Sequence, residues 1–333
     1  MKAIVRDRYG SADVLRLTDV ELPVVADTEV LVRVRAAGVD RGAWHIMAGL
    51  PYLIRVAGYG LRRPKTAGLG SELAGVVEAV GAKVTHLRPG ESVFGTVSAS
   101  FAEYASARPD RLARMPANLT FEQAAAVPVS GVTALQALRD RGRVQAGQRV
   151  LVIGASGGVG TFAVQIAKAL GADVTGVCST SKVDLVRSLG ADHVIDYTHA
   201  DITDDHQRYD LILDIGGNRR VSALRDVLTA DGTLVIVGGE GGGRWTGGIH
   251  RQLGAMILSL FVRQRLGTFI AKENGADLDA LRALIETGAV TPAVDRVVAL
   301  DAAPDAIRDL TAGRVRGKIV IAPPLVSAEP TRR

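Results

Sequence analysis

Up to about residue 117, the chain alternates short apolar runs with Gly and Pro. Such runs lie at 29–36, 74–80 and 92–97. Short apolar runs between turn-forming residues are typical of β-strands. This pattern therefore predicts a compact β-rich domain at the N-terminal end of the chain.

From about residue 120 to 239, apolar runs alternate with helix-like segments. The runs at 151–153, 174–177, 193–195, 211–214 and 233–237 have the length and composition of buried strands. This alternation predicts an α/β fold with a doubly wound parallel sheet. Further on, we predict helices at 276–287 and 303–312, a last strand at 318–321 and a flexible tail at 326–333.

One unit of the second region carries the clearest chemistry. An apolar strand pattern at Arg149–Ile153 leads into a turn with four glycines between residues 154 and 160, and a helical pattern follows. Glycines permit close approach, and the first N–H groups of such a helix bind the pyrophosphate of a dinucleotide. The turn residues that we expect to contact the cofactor are Gly154, Ser156, Gly157, Gly158 and Val159.

The end of the following strand predicts which dinucleotide binds. A carboxylate there normally accepts the ribose hydroxyls of NAD, but this chain has Ser179, Thr180 and Lys182 and no acid. Hydroxyls and a lysine suit a 2′-phosphate, so we predict NADP(H), with Tyr197 closing over the same phosphate. The alternative for Lys182 is an ordinary solvated residue at a helix start.

Composition limits the class of protein and its partners. The 333 residues are 47% hydrophobic and 23% charged, which predicts a globular chain with two domains. The 40 basic residues are interspersed with 35 acidic ones, so we expect no nucleic-acid partner. We expect no signal peptide, because the N-terminus is charged from the start, and the longest apolar stretch, 255–262, is too short to span a bilayer. We therefore expect no membrane partner.

A single cysteine, Cys178, excludes an intrachain disulfide and argues against a metal site built from cysteines. This cysteine usage fits a reducing cytoplasm.

Several segments together resemble the medium-chain dehydrogenase/reductase superfamily, within it the zinc-independent quinone oxidoreductase (zeta-crystallin-like) branch. They are MKAIV at the start, AAGVDRGAWHIMAG at 36–49, GLGSELAGVVEAVG at 68–81, RPGESVFG at 88–95, AAAVPVSGVTALQAL at 124–138, GASGGVG at 154–160, SLGADHVIDY at 188–197 and GKIVI at 317–321. The resemblance implies a GroES-like catalytic domain at 1–120, completed by 266–325. A Rossmann domain at 121–265 lies between the two parts.

Zinc-dependent members of that superfamily hold the metal with a cysteine near the position of Asp40 and a His-Glu pair that matches Ser71 and Glu72. This chain has neither the cysteine nor the histidine, and it has no room for a four-cysteine lobe after Gly95. We predict no metal ligands, and we expect Glu72 to form a structural hydrogen bond or ion pair.

Candidate catalytic residues lie between Asp40 and Tyr59. His45 is the best general acid by chemistry, although it equally fits a residue that caps or packs a helix start. Asp40 would either orient a ligand hydroxyl or pair with Arg41. Tyr52 lies in an amphipathic segment that either lines the substrate entrance or covers the domain surface.

The same amphipathic segment has a basic face, formed by Arg55, Arg62, Arg63 and Lys65. This face either meets an acidic substrate or is solvated.

The resemblance also implies cofactor contacts outside the glycine-rich turn. Thr133 would approach the nicotinamide, with a helix-interior threonine as the alternative. The other residues implied are Val237, Gly238 and Gly239 beneath the nicotinamide ribose, Phe269 and Ile270 at the carboxamide, and Lys318 at the cleft.

Taken together, these features predict a zinc-independent, NADPH-dependent oxidoreductase that reduces quinones, α,β-unsaturated ketones or related carbonyls. We expect a homodimer, as is common for such Rossmann domains. Two alternatives stay open: a zinc-independent NADP-dependent alcohol dehydrogenase, and a non-catalytic NADPH-binding protein of the crystallin-like or nucleic-acid-binding kind.

Overall fold

The computed structural model describes residues 1–204, 207–239 and 243–324. The expected flexible tail at 326–333 lies outside the described residues. The strands are β1 (Lys2–Val5), β2 (Arg16–Asp19), β3 (Val30–Val39), β4 (Glu72–Val80), β5 (Ser92–Thr96), β6 (Tyr104–Ala107), β7 (Leu112–Arg114), β8 (Arg149–Ile153), β9 (Asp173–Cys178), β10 (His193–Asp196), β11 (Tyr209–Asp214), β12 (Leu228–Ile236), β13 (Arg265–Thr268), β14 (Val294–Ala299) and β15 (Lys318–Ala322).

The helices are α1 (Arg41–Ala48), α2 (Phe121–Ala125), α3 (Pro128–Gln136), α4 (Gly158–Ala169), α5 (Val183–Ser188), α6 (Val221–Asp226), α7 (Ile249–Leu258), α8 (Gly275–Glu286) and α9 (Ala303–Thr311). No helix in the described part of the chain is long and apolar enough to cross a bilayer.

The GroES-like domain is built on a sheet in the order β14-β15-β3-β4-β5-β7, with β6 also paired to β3. In β3, side chains alternate between buried and half-buried from Val30 to Arg35, which is the pattern of a strand that covers a core with one face. The C-terminal strand β15 pairs antiparallel with β3, so that Ile319 lies opposite Val39. The C-terminal segment therefore completes the N-terminal domain.

The second sheet is parallel throughout, in the order β10-β9-β8-β11-β12-β13. Its central strands are buried almost without exception, as expected for a sheet that helices cover on both faces. The chain leaves β8 through α4 to reach β9 on one side, and β11 lies on the other side of β8. This is the switch point at which doubly wound sheets bind ligands.

Two of the expected domain limits differ from the structure. β13 pairs with β12, with Leu266 opposite Leu234, so the parallel sheet continues to Thr268 and a limit after residue 265 cuts a strand. Helix α2 packs on β3 and β4, and a Cβ on Gly38 would lie 2.5 Å from the carbonyl oxygen of Ala125. A limit after residue 120 therefore separates α2 from the sheet that it covers.

Candidate active site

The glycine-rich turn has the geometry of an anion cradle. Gly154 has a φ of +87°, and a Cβ on Gly160 would lie 2.1 Å from the carbonyl oxygen of Gly154. Gly157 is extended and has no side chain to cap α4, which begins at Gly158. The first N–H groups of α4 are therefore open to a bound anion, and the positive end of the helix dipole favours one.

The C-terminal strand supports this turn. The N–H of Gly317 donates to the carbonyl oxygen of Ser156 at 2.8 Å. A Cβ on Gly158 would lie 2.9 Å from both Cδ of Lys318 and Oγ of Ser130, so a larger residue there would displace these side chains. Two segments distant in the sequence thus fix the cradle. Ser130, buried in α3, borders the cradle although sequence reasoning missed it.

At the carboxyl end of β9, the structure brings together Ser179, Thr180, Lys182 and Tyr197. The Lys182 ammonium donates to the carbonyl oxygens of Gly313 at 2.9 Å and Val315 at 2.8 Å, so Lys182 is not merely solvated. Burial lowers the pKa of Lys182, and the charge of the exposed Arg316 lowers it further. Arg316 is a cation at this position that sequence reasoning missed, because it belongs to the last strand region.

An acid also lies nearby, at the end of β10. Asp196 accepts hydrogen bonds from the hydroxyl of Thr198 at 2.7 Å and from its N–H at 3.0 Å. The Thr180 hydroxyl, 2.7 Å from that of Thr198, is the main cause of the lowered pKa of Asp196. The Tyr197 N–H donates to the carbonyl oxygen of Cys178, and its ring is more than half exposed beside this cluster.

A buried ion pair occupies the cleft between the two sheets. The ammonium of Lys318 contacts Oε1 of Glu72, and both side chains are almost fully buried. Oε2 of Glu72 accepts from the N–H of Val129 at 2.8 Å. Burial raises the pKa of Glu72, Lys318 opposes that rise, and the charge of Asp40 adds to it. The structural ion pair expected for Glu72 is confirmed.

The same pair changes the expectation for Lys318. We expected this lysine to contact the cofactor, but its ammonium is directed to Glu72. Only its aliphatic stem borders the cradle, at Gly158. Its contribution there is packing rather than charge.

The side chains in the cleft do not fit a catalytic zinc, which needs three protein ligands. Both oxygens of Glu72 are engaged, and Oδ1 of Asp40 accepts from the N–H of Ala43 at 2.8 Å as the cap of α1. Across residues 1–204, 207–239 and 243–324, no three His, Cys, Asp or Glu side chains are grouped to hold a metal ion.

His45 lies at the end of α1 with one ring nitrogen engaged. Its Nδ1 is 2.7 Å from the carbonyl oxygen of Leu50, which can only accept, so Nδ1 carries a proton. The ring meets Trp44 edge-on at 4.7 Å. His45 therefore lies in the last turn of α1 and not at a helix start, and its ring holds the chain that follows the helix. Its Nε2 is the ring nitrogen left for proton exchange. Asp40 caps α1 by accepting the hydrogen bond from the N–H of Ala43 with Oδ1. Its Oδ2 is buried and has no hydrogen-bond partner among the described residues.

Tyr52 belongs to a loop, residues 50–60, that reaches from the GroES-like domain to the Rossmann domain. We call it the cleft loop. The Tyr52 N–H donates to the carbonyl oxygen of Arg244 at 2.8 Å, and its ring meets Trp245 edge-on at 5.2 Å. The Arg55 guanidinium lies between the rings of Tyr9 and Tyr52, at 4.3 Å and 4.6 Å. Tyr52 is thus held at the mouth of the cleft.

Of the remaining predicted residues, Thr133 lies in α3, whereas Val237, Gly238 and Gly239 follow the carboxyl end of β12. The Thr133 hydroxyl donates to the carbonyl oxygen of Val129 at 2.7 Å, as in the helix-interior alternative. The N–H groups of Val237 and Gly238 donate to the carbonyl oxygen of Asp214. A Cβ on Gly238 would lie 2.0 Å from the Ile215 carbonyl oxygen, whereas Gly239 has more room.

After β13, Phe269 packs against the core and Ile270 is 92% exposed. Both residues come directly after β13, which ends at Thr268. We predict that their backbone groups contact the carboxamide of the cofactor. That contact stays a prediction.

A second buried ion pair was missed by sequence reasoning. Asp214, fully buried at the end of β11, contacts Arg251 of α7 and accepts from the N–H of Gly217 at 3.0 Å. Arg251 also donates to the carbonyl oxygen of Arg219 at 2.7 Å. The pair fixes the loop after β11 against α7. The sequence shows that Asp214 ends a predicted strand, but it does not indicate the partner, Arg251, which lies 37 residues away.

Comparisons with known proteins agree with this architecture. Residues 26–137 match the alcohol dehydrogenase GroES-like domain, and residues 189–321 match the zinc-binding dehydrogenase family. The chain is 33% identical to NAD(P)H oxidoreductase RTN4IP1, mitochondrial, of Mus musculus, over 96% of this chain and 89% of that protein. It is 32% identical to 2-methylene-furan-3-one reductase of Solanum lycopersicum, over 97% and 79%. It is also 32% identical to quinone oxidoreductase of Sus scrofa, over 96% and 97%.

Solved structures give the same result. The quinone oxidoreductase of Coxiella burnetii superposes with a TM-score of 0.85 at 26% identity, over 97% of this chain and 99% of that one. The Escherichia coli quinone oxidoreductase, complexed with NADPH, gives 0.83 at 25% identity, over 97% and 100%. The fold and these matches define an oxidoreductase of the medium-chain dehydrogenase/reductase class. Within that class, the chain belongs to the quinone oxidoreductase-like family.

Proposed function

We propose that the protein is a zinc-independent reductase that uses NADPH to reduce quinones, α,β-unsaturated ketones or related carbonyls. The observation that carries this proposal is the combination of an open anion cradle at α4 with an end of β9 that has no acid of its own and lies beside Lys182 and Arg316. The nearby acid, Asp196 at the end of β10, is already hydrogen-bonded to Thr198. The NAD(P)H and NADPH named for its relatives support a nicotinamide cofactor.

The residues present fit that cofactor. The N–H groups at the start of α4 would hold its pyrophosphate, and Lys182, Arg316 and the hydroxyl of Thr180 would face its 2′-phosphate. The cofactor, when bound, supplies a hydride. The lack of a Cβ at Gly238 and Gly239 leaves the backbone exposed to a ribose beside the end of β12.

The residues of the cleft favour an activated acceptor. Glu72 is committed to Lys318, so among the described residues no cluster of ligands is left to hold a metal ion as a Lewis acid. An acceptor must then delocalise its own developing charge. Quinones and enones do so, and the names of the pig and tomato relatives fit this class. We assign His45 as the proton donor, acting from Nε2 of its imidazolium form, in which both ring nitrogens carry a proton. We assign Tyr52 as the residue that borders the substrate.

The direct test mixes purified protein with NADPH and a panel of quinones, enones, simple aldehydes and alcohols while nicotinamide absorbance is followed. We expect turnover with quinones or enones that a chelator leaves unchanged. Oxidation of simple alcohols with NADP⁺ would favour an alcohol dehydrogenase instead. Tight NADPH binding without turnover of any substrate would overturn the proposal in favour of a non-catalytic binding protein.

We further propose a homodimer formed through the Rossmann domain. Among the described residues β13 is the edge of the parallel sheet, and α7 with its following turn exposes apolar side chains next to it. These are Leu253, Met256, Ile257, Leu260 and Phe261, between 47% and 80% exposed. A patch of this kind marks an interface. Phe261→Asp is expected to weaken dimerisation at least about tenfold in sedimentation equilibrium, and Val24→Asp, at a similarly exposed site, is not.

A further inference from the structure

The cleft loop exposes apolar side chains on a rigid base. Leu53 is 43% exposed, Val56 71% and Tyr59 45%, and Leu61 just beyond the loop is 67% exposed. Beneath them, Arg55 is held between two aromatic rings and donates to the carbonyl oxygen of Gly49 at 2.8 Å. The apolar residues are therefore displayed to solvent by an ordered support, which is an arrangement that marks an interaction site.

An indole extends this apolar surface from the other domain. Trp245 is 73% exposed and lies against Tyr52 at the base of the loop. Trp and Tyr are the residues that concentrate where a membrane meets water, because their rings are apolar and one edge is polar. The surface thus has aromatic as well as aliphatic members.

Cations border the apolar residues without acidic partners. Arg62, Arg63 and Lys65 are exposed, and within the described residues none of them has a carboxylate within 4.0 Å. The chain folds back here, because the Lys65 N–H donates to the carbonyl oxygen of Tyr59 at 2.9 Å and the Arg63 carbonyl oxygen lies against Gly60. The backbone of the three cations therefore lies beside that of Tyr59 and Leu61.

We infer that this surface, which we call the docking surface (Leu53, Val56, Tyr59, Leu61, Arg62, Arg63, Lys65 and Trp245), rests on the surface of a bilayer that contains anionic lipids. Its apolar residues enter the boundary between headgroups and acyl chains, and its cations meet lipid phosphates and carboxylates. The three unpaired cations are the reason to favour an anionic bilayer over a second copy of this chain, whose own docking surface carries the same positive charge.

This inference goes beyond the proposed function and departs from our expectation of no membrane partner. The sequence showed that no segment is long enough to span a bilayer, but not which residues a folded loop exposes. Docking would place the mouth of the cleft at the membrane surface, where an apolar quinone or enone dissolves. Binding to lipid is measured without turnover, so failure of either proposal can be told from failure of the other.

The test uses the full chain and vesicles of phosphatidylcholine with and without roughly one-third phosphatidylserine, separated by flotation. We expect binding to the anionic vesicles only, and weaker binding at high salt. The triple variant Arg62→Gln, Arg63→Gln, Lys65→Gln should bind about fivefold more weakly for each cation removed, roughly a hundredfold in total. Its matched control, Arg88→Gln, Arg141→Gln, Arg143→Gln, removes three exposed cations elsewhere and should bind as the parent does.

A second measurement reports insertion directly. Trp245 fluorescence should shift to shorter wavelength and be quenched by brominated acyl chains when anionic vesicles are added, and Trp245→Phe should abolish both signals. Val56→Ser combined with Leu61→Ser should weaken binding while leaving NADPH affinity unchanged. No binding to either vesicle, equal loss in the control triple variant, or a change of oligomeric state in the Arg62 triple variant would overturn the inference; the last would make this surface a protein interface.

Discussion

The Lys182 ammonium makes two hydrogen bonds to distant backbone carbonyls, which its position in the sequence does not indicate. Its ammonium holds the C-terminal segment by two carbonyl oxygens, and an ammonium has three donors, so one remains for a phosphate. Arg316 adds a second cation next to it. The residue type was predictable because a strand end without an acid is readable in sequence. The partner carbonyls, 131 and 133 residues away, were not.

We expect Lys182→Ala to weaken NADPH binding by roughly tenfold to a hundredfold, the value of a charged hydrogen bond to phosphate. NADH affinity should change little, because NADH has no 2′-phosphate. Titration of each nucleotide, followed by protein fluorescence, gives both constants. Lys168→Ala is the control, since Lys168 pairs with Asp192. Equal losses for the two nucleotides would contradict the NADP(H) assignment.

Asp40 shows why other site residues are harder to predict. An acid just before an amphipathic helix is also a typical N-cap, and Asp40 has that role for α1. The Thr133 hydroxyl likewise donates its hydrogen bond to the backbone of its own helix. For such residues the sequence gives the chemistry, whereas the choice between local and functional partners depends on tertiary contacts.

At the scale of elements, the sequence periodicity indicates which segments are strands and which are helices. It does not indicate which sheet a strand joins or which sheet a helix covers. β13 has the composition of any short strand, and only its pairing with β12 places it in the parallel sheet. The capping box of α2 can be recognised in the sequence. The sheet that α2 covers cannot, because it depends on the close packing of the Ala125 carbonyl oxygen against Gly38 of β3. Local pattern fixes an element, and non-local packing fixes its neighbours.

The cleft loop is the element whose order depends most on one side chain. We expect Arg55→Lys to raise KM for a quinone or enone several-fold, up to about tenfold, with a smaller effect on kcat. Lysine cannot lie flat between two rings, and each cation–π contact contributes about 0.5–2 kcal/mol. Steady-state kinetics measures the split, and limited proteolysis within residues 53–63 should become faster.

Arg62→Lys is the matched control for this loop, because Arg62 is exposed and does not lie between rings. If both variants had the same kinetics as the parent, Tyr52 would not depend on Arg55 for its position.

At the scale of the whole molecule, Glu72 and Lys318 join three parts of the chain. Glu72 belongs to β4, Lys318 to β15, and the Val129 N–H to α3. We expect Glu72→Gln to lower the free energy of unfolding by about 3–5 kcal/mol, because it leaves a buried ammonium without a counter-charge. Denaturant unfolding followed by circular dichroism measures this loss.

The double variant Glu72→Gln, Lys318→Met should recover much of that stability, since neither charge is then buried alone. A double variant no more stable than the single one would show that the loss comes from packing in the cleft rather than from the unpaired charge.

The two-domain plan was predictable from the change of pattern near residue 120, and the resemblance supplied the return of the chain to its first domain. The proposed NADP(H) preference, homodimer and cytoplasmic location stay predictions. The docking surface could not have been foreseen, because alternating apolar and basic residues describe a solvated loop equally well until their exposure is known.

The hydrogen bond between Gly317 and Ser156 has a consequence for how the protein is made. The glycine-rich motif is complete once residue 170 has been translated, yet the strand that braces it is synthesised almost 150 residues later. A nascent chain on the ribosome therefore carries the motif without a finished cradle for most of the synthesis that remains after residue 170. The braced form of the turn, and with it the nucleotide site that we propose, is therefore complete only when the last strand has been synthesised.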